Sequence, residues 1–259
     1  MGLIVKNIVR KRYGRRLLDS VSVRLKSGTV TLLSGFVHSG RTTLLRVIAQ
    51  VLLPHSGAMK YPPGAVAFAP EHPLWPMRFD TVLDILRHYA LLYPRMQSEL
   101  IADYIPTIIK ENKEYRYLSK KERRLLSNAL TMFSGASVLL FDEPLQALSL
   151  DEKRHFLILL NHIARESDAV TVVSLFGKND IVDFIDDIVV MRNGGVTYAG
   201  SVREALVKHR IVRSMDGVHG DLISPLIDSF LVKTGEAVGW EPTLEEVLHA
   251  YTHYEKPTN

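Results

Sequence analysis

The chain has 259 residues, 46% of them apolar, enough for one large α/β domain, or a domain with a subdomain, around a sizeable core. It has no cysteine, which excludes disulfides and thiolate metal sites and fits a reducing compartment. The formal charge is +4, with basic clusters at 10–16 and 120–124 that read as solvated surface or as contacts for nucleotide phosphates, an anionic membrane face or nucleic acid. No apolar run is long enough to span a bilayer, and the N-terminus lacks a signal-peptide layout.

In chain order, Leu3–Val9 and Leu18–Leu25 read as two strands joined by a basic turn around Tyr13-Gly14. Val30–Leu33 is an apolar strand, Gly35–Gly40 a glycine-bounded loop, and Thr42–Leu53 has helical spacing. Val66–Phe68 is a short strand. The period then changes, and Thr81–Leu92, Gln97–Ile109 and Ser119–Phe133 read as helices. Val138–Phe141 is an apolar strand, Asp151–Arg165 a helix and Ala169–Ser174 a strand. Ile188–Met191 and Val196–Ala199 flank Asn193-Gly194-Gly195, a hairpin signal. The tail is less regular and ends in a helix near Thr243–Tyr254. Strand–helix alternation on either side of a helix-only block predicts an α/β fold: a mostly parallel sheet flanked by helices, an N-terminal antiparallel β part and an inserted helical subdomain.

The strand–loop–helix at 30–53 has the layout of a phosphate-binding P-loop, G-x-x-x-x-G-K-[ST], with Arg41 at the lysine position. Backbone N–H groups and the helix dipole favour an anion there. Val138–Phe141 delivers Asp142 and Glu143 at a strand's C-terminal end, where α/β sheets bind ligands. Mg²⁺ needs few carboxylates beside phosphate oxygens, which suits Asp142 with Thr42. Glu143 is placed to take a proton from an attacking water. An ordinary strand-to-helix turn and a strand-end turn are the structural alternatives.

Over residues 1 to about 204, the order of motifs resembles the ATP-binding subunits of ABC transporters. The resemblance implies a single ABC ATP-binding domain over 1–259. Its nucleotide-binding core would be 1–75 and 135–204, its helical signature subdomain 76–134 and its C-terminal extension 205–259. It implies ATP and Mg²⁺ as cofactors, a place at the cytoplasmic face of the cell membrane, and two partners: an integral membrane transporter subunit and a second ATP-binding subunit. Tyr13 matches the aromatic residue that stacks on adenine. Gly35 to Thr43, with His38, Ser39, Gly40, Arg41 and Thr42, matches Walker A. Glu71 occupies the Q-loop position, and Leu118-Ser119-Lys120-Lys121-Glu122 the signature position. Val138 to Glu143 matches Walker B, and Phe176 stands where the switch histidine is usual. Thr243-Leu-Glu-Glu-Val247 resembles a tail motif of export-type subunits.

The departures from the family pattern point to a degenerate copy. Arg41 keeps the lysine's charge but not its shape. His38 replaces a glycine, which matters if that position needs φ > 0. Phe176 cannot donate a hydrogen bond to a γ-phosphate. Lys120 and Lys121 replace two glycines, and Ser119-x-x-Glu122 also reads as a helix capping box. Weak or lost hydrolysis is therefore expected, in a heterodimer rather than a homodimer. The other readings are a non-hydrolysing regulatory or assembly subunit and a nucleic-acid-linked ABC protein. The lack of coiled-coil heptads and of a basic extension argues against the last, so no nucleic acid is expected.

Overall fold

A computed structural model describes residues 2–75, 80–175, 182–216, 218–225, 230–236 and 238–253. The chain opens with β1 (Leu3–Arg12) and β2 (Arg15–Leu25), joined at Tyr13-Gly14 with φ values of +48° and +76°. Both strands run past their apolar stretches, because Arg10–Arg12 pair with Arg15–Leu18 across the hairpin. β3 (Thr29–Gly35) leads through the glycine loop into α1 (Arg41–Ile48). This helix is a turn shorter than its spacing predicts: Ala49 caps it and Gln50 takes φ +60°. β4 (Ser56–Lys60), which alternation did not reveal, pairs with β1 to complete the antiparallel sheet β2-β1-β4.

β5 (Val66–Ala69) is followed by the helical block: α2 (Val82–Leu92), α3 (Ser98–Tyr104), α4 (Pro106–Glu111) and α5 (Lys120–Met132). The helix expected at 97–109 is broken at Ile105 (φ −127°, ψ 52°), because the proline that follows disfavours helical backbone there. β6 (Val138–Asp142), α6 (Leu150–Ser167), β7 (Val170–Ser174), β8 (Asp187–Arg192) and β9 (Gly195–Ser201) follow. The tail is more ordered than its pattern suggested: α7 (Val202–Val207), β10 (His209–Val212), β11 (Asp221–Pro225), β12 (Phe230–Lys233) and α8 (Leu244–His253). The three tail strands form their own sheet, β10-β12-β11.

The main sheet has the order β5-β6-β7-β3-β8-β9; all its pairs are parallel except β8–β9. Every residue of β6 and β7 is buried, as a parallel sheet covered on both faces requires. Leu139 and Phe141 face the side of α5 and α6, where Phe141 meets Phe156 edge-on at 5.4 Å. Leu140 and Val172 face α1 and the β1–β2 hairpin, against Leu44 and Leu45. Full burial of each such side chain stabilises by about 1.5–3 kcal/mol, so the strand ends carrying the site are rigidly held. α8 packs Leu244, Val247 and Ala250 against Ile188, Val190 and Ile211, which fastens the tail to the β8 side of the sheet.

Candidate nucleotide-binding site

The loop between β3 and α1 is shaped by glycine. Gly35 has φ +150°, and a Cβ there would collide with the Met191 carbonyl. Gly40 has φ +105°, and a Cβ would meet the Leu17 carbonyl at 2.8 Å. His38 takes φ +65°, so this position does need left-handed backbone, and a histidine adopts it. The turn of the β8–β9 hairpin clamps the loop: the Gly194 N–H donates to Ser39 O (3.0 Å), and Gly194 O accepts from the Asp19 N–H (2.9 Å). The first helical bond runs from the Leu44 N–H to Gly40 O, so the N–H groups of Arg41, Thr42 and Thr43 have no acceptor within α1. The first turn carries no acidic residue. This helix end is an anion site in waiting.

Loop residues 36–43, with Leu17, Glu71, Glu143 and Gln146, line an open cleft of about 410 Å³. Arg41 Nη1 donates to Glu143 Oε1 at 2.8 Å, and both side chains are only 11% exposed. Glu143 sits just past β6 with φ +51°, a conformation that costs about 1 kcal/mol or more and turns the carboxylate toward the loop. Its N–H is held by Ser174 on β7. Asp142 is fully buried; its Oδ1 accepts from Ser174 Oγ (2.6 Å) and Thr42 Oγ1 (3.3 Å). Its other oxygen, Oδ2, is buried with no hydrogen-bond partner among the described residues. A buried carboxylate oxygen without a donor, beside a threonine hydroxyl, fits Mg²⁺. No cluster of three or more His, Asp or Glu able to hold a metal occurs among the described residues, so a cation held by Asp142 and Thr42 would need its remaining oxygens from phosphate and water.

Sequence reasoning missed Leu17 of the cleft wall and three residues that brace the site. Arg124, buried on α5, donates to the carbonyls of Pro70 (2.8 Å), Asp142 (3.4 Å) and Glu71. Burial pushes its guanidinium down from the usual range, while Asp142 and Glu71 push it back up. It ties the Q-loop position to the end of β6; its place in a basic cluster concealed this. Gln146 donates to Glu71 Oε1 at 3.4 Å. His253, at the end of α8, packs edge-on against Phe36 of the loop at 4.0 Å, a contact with no local sequence signal.

The predicted residues are thus only partly gathered. Gly35, His38, Ser39, Gly40, Arg41, Thr42, Thr43, Glu71, Asp142 and Glu143 meet around the cleft and the loop. Tyr13 stays at the hairpin tip, 92% exposed, with the Arg12 guanidinium 5.3 Å from its ring centre, and does not line the cleft. Ser119 is the N-cap of α5: its hydroxyl accepts from the Glu122 N–H (3.2 Å), and Glu122 accepts from the Ser119 N–H (2.6 Å). Phe176 lies outside the described residues.

A family model, ABC transporter, matches residues 18–146. The chain is 30% identical over 229 residues to the hemin import ATP-binding protein HmuV of Shewanella denitrificans, covering 78% of this chain and 89% of the relative. The chain belongs to the ABC transporter ATP-binding proteins. It is also 27% identical to a probable sulfate/thiosulfate import ATP-binding protein, CysA, of Chlorella vulgaris, over 79% of this chain and 93% of that one. Among solved structures, an ATP-binding subunit of an ABC transporter superposes with a TM-score of 0.69 at 19% identity, covering 79% and 92% of the two chains. The dimeric cassette MJ0796 bound to ADP and Pi superposes with a TM-score of 0.65 at 19% identity, covering 78% and 99%. These superpositions place the fold among P-loop ABC ATPases, a family that binds ATP and generally uses Mg²⁺. Among the described residues no helix is long and apolar enough to cross a membrane.

Proposed function

We propose that this chain is a degenerate ATP-binding subunit of an ABC transporter. In this reading it binds Mg²⁺–ATP but hydrolyses it slowly or not at all, and works beside an intact second subunit. The ion pair between Arg41 and Glu143 carries the reading. ATP supplies the phosphoanhydride, and Mg²⁺ neutralises charge on its oxygens. Backbone N–H groups of the loop would hold the phosphates, Thr42 and Asp142 would hold the cation, and Tyr13, at the hairpin tip outside the cleft, would stack on a base that extends beyond the cleft wall. Glu143 would be the general base, yet its carboxylate is engaged in a charged hydrogen bond from the residue that should hold phosphate. Phe176 offers no donor at the switch position. Loss of one preorganised donor costs roughly 10²–10³ in rate.

In a homodimer, both composite sites would combine Arg41, His38 and Phe176 with Lys120 and Lys121. A heterodimer separates these changes, leaving one site with the partner's intact Walker residues against Ser119 and α5 of this chain. The division into core (1–75, 135–204), helical subdomain (76–134) and extension (205–259) belongs to this reading. So do docking on an integral membrane subunit and a place at the cytoplasmic face. Export rests on the tail motif. In the structure that motif is a helix cap, with the Thr243 hydroxyl and N–H bonded to Glu246. Import is the direction in the relatives' names. Uptake into oriented vesicles assigns the direction.

A purely regulatory or assembly role is favoured by one observation. The signature position is taken up by structure: Ser119 and Glu122 close a capping box, and Lys121 pairs with Glu152 at 2.7 Å. The decisive experiment compares ATPase rates of the assembled complex carrying Arg41→Ala here or the matching change in the partner subunit. A much larger loss from the partner change is expected. Equal losses, or a fully active complex with two copies of this chain as its nucleotide subunits, overturn the proposal. A complex that turns over no ATP at either site moves the assignment to the regulatory role.

A further inference from the structure

Helix α6 spends only part of its apolar surface on the core. Phe156, Leu157, Leu160 and Ala164 are buried there. The neighbouring stripe, His155, Leu159, His162, Ile163 and Glu166, keeps helical spacing but turns to α3 instead. α3 covers it poorly. Pro106 ends that helix after seven residues, and of these only Ile101 is buried. An open groove of about 630 Å³ is left between the two helices. It shares no lining residue with the nucleotide cleft.

The groove has a row of rings at its base. Phe133 is buried and meets Tyr104 edge-on at 5.9 Å, and Tyr104 meets His155 edge-on at 5.7 Å. Burial, and then the Glu152 carboxylate, push the Tyr104 phenol above its ordinary range, so this ring stays neutral. Its hydroxyl has no hydrogen-bond partner among the described residues. Leu100, Leu159 and Ile163 supply apolar walls, and Leu100 is left 42% exposed. The charge of the lining opposes that of the chain. The whole chain is +4, yet Asp103 and Glu166 line the groove and no Lys or Arg does. Among the described residues neither carboxylate has an ion pair. Arg165, beside Glu166 in sequence, is turned away to Asp186 (3.1 Å) and Asn161 (2.8 Å).

From this arrangement we infer that the groove between α3 and α6 is a binding site for a hydrophobic organic cation, an amine carried on an aromatic or branched aliphatic body. The ammonium group takes its counter-ions from Asp103 and Glu166. The body covers Leu100, Leu159 and Ile163 above the rings, where Tyr104 adds an aromatic partner for the charge. A mostly apolar lining with a few polar groups is the pattern of small-molecule sites, whose volumes run from about 300 to 1,000 Å³. An anion would be repelled by both carboxylates, and a neutral ligand gives them no partner. A ligand seated here joins the helical block, through α3 and the Phe133 end of α5, to α6. The site is independent of what the nucleotide cleft binds.

The test is an NMR titration of the full chain at low salt with three probes that share an indole ring: tryptamine (a cation), 3-ethylindole (neutral) and indole-3-acetate (an anion). Tryptamine is expected to shift resonances of α3 and α6 saturably, with 3-ethylindole weaker and indole-3-acetate inert. Asp103→Asn/Glu166→Gln should lower tryptamine affinity by about tenfold, the order expected of two solvent-exposed charge pairs, and leave 3-ethylindole unchanged. Leu159→Ala should weaken both. Neither carboxylate is paired within the fold, so the double change should leave the melting temperature level, which separates lost binding from lost folding. Equal binding of all three probes, binding of none, or a tryptamine affinity that the double change leaves intact overturns the inference. Shifts confined to residues 35–43 and abolished by Mg²⁺–ATP place the cation in the nucleotide cleft and overturn it too. Self-association that Leu159→Ala abolishes makes the groove a contact between copies of this chain instead.

Discussion

Releasing Arg41 from Glu143 should tighten ATP binding. Both groups are 11% exposed and 2.8 Å apart, so the pair lies between two regimes. Exposed pairs are worth about 0–1 kcal/mol, and breaking a fully buried pair costs about 3–5 kcal/mol. A value of about 2 kcal/mol follows, or roughly thirtyfold in an equilibrium constant. If Arg41 must leave Glu143 to meet phosphate, Glu143→Gln raises Mg²⁺–ATP affinity by up to about thirtyfold. Part of any gain is simple repulsion between Glu143 and the phosphates, and a double-mutant cycle removes it. Calorimetric titration of wild type, Glu143→Gln, Arg41→Ala and the double variant is the assay. In the Arg41→Ala background the gain should shrink to the repulsive remainder, a few-fold. Arg41→Ala alone also leaves Glu143 without its arginine, and at about 2–4 °C per kcal/mol the melting temperature should fall by roughly 4–8 °C. An equal gain of affinity in both backgrounds would refute competition between Glu143 and phosphate for Arg41.

Tyr13→Ala should lower ATP affinity about tenfold, the value of one base–aromatic stack, with no change in melting because the ring is 92% exposed; unchanged affinity removes Tyr13 from the site. Asp142→Asn should abolish the Mg²⁺-dependent part of ATP binding and spare the metal-free part, measured by titration with and without a chelator. Ser119→Ala should cost about 1 kcal/mol, seen as a lower melting temperature at neutral pH. The deficit should be pH-dependent, because the Ser119 hydroxyl, then its N–H, holds the Glu122 carboxyl below its ordinary range. A depressed carboxyl pKa contributes stability above the ordinary value and loses it as pH falls through the folded one, so the wild-type advantage should shrink on acidification. A constant deficit from neutral to acid pH would contradict the capping role.

Much of the fold was legible because its signals are local. The apolar runs of β3, β6 and β7, the glycines around the loop and the Asn193-Gly194 turn each report a backbone conformation that neighbouring residues dictate. The capping box at Ser119 was equally visible, since both partners lie within one helical turn. β4 escaped notice because Ser-Gly-Ala-Met-Lys has no alternation; it is a strand only because β1 offers it an edge. The break at Ile105 was present in the sequence as Pro106 and was outweighed by apolar spacing on either side of it.

The sequence by itself determined the chemistry available: which residues form the phosphate loop, which strand ends in carboxylates, and that lysine, glycine and histidine are replaced at family positions. Those facts are carried by residue type and by spacings of a few residues. Only the tertiary structure decided how these groups engage one another. Arg41 meets Glu143 across 102 residues, Arg124 reaches Pro70 across 54, and His253 closes on Phe36 from the far end of the chain. Sheet order sets such contacts, because β3 and β6 are separated only by β7 and end side by side, and no periodicity along the chain encodes a neighbour brought from so far away.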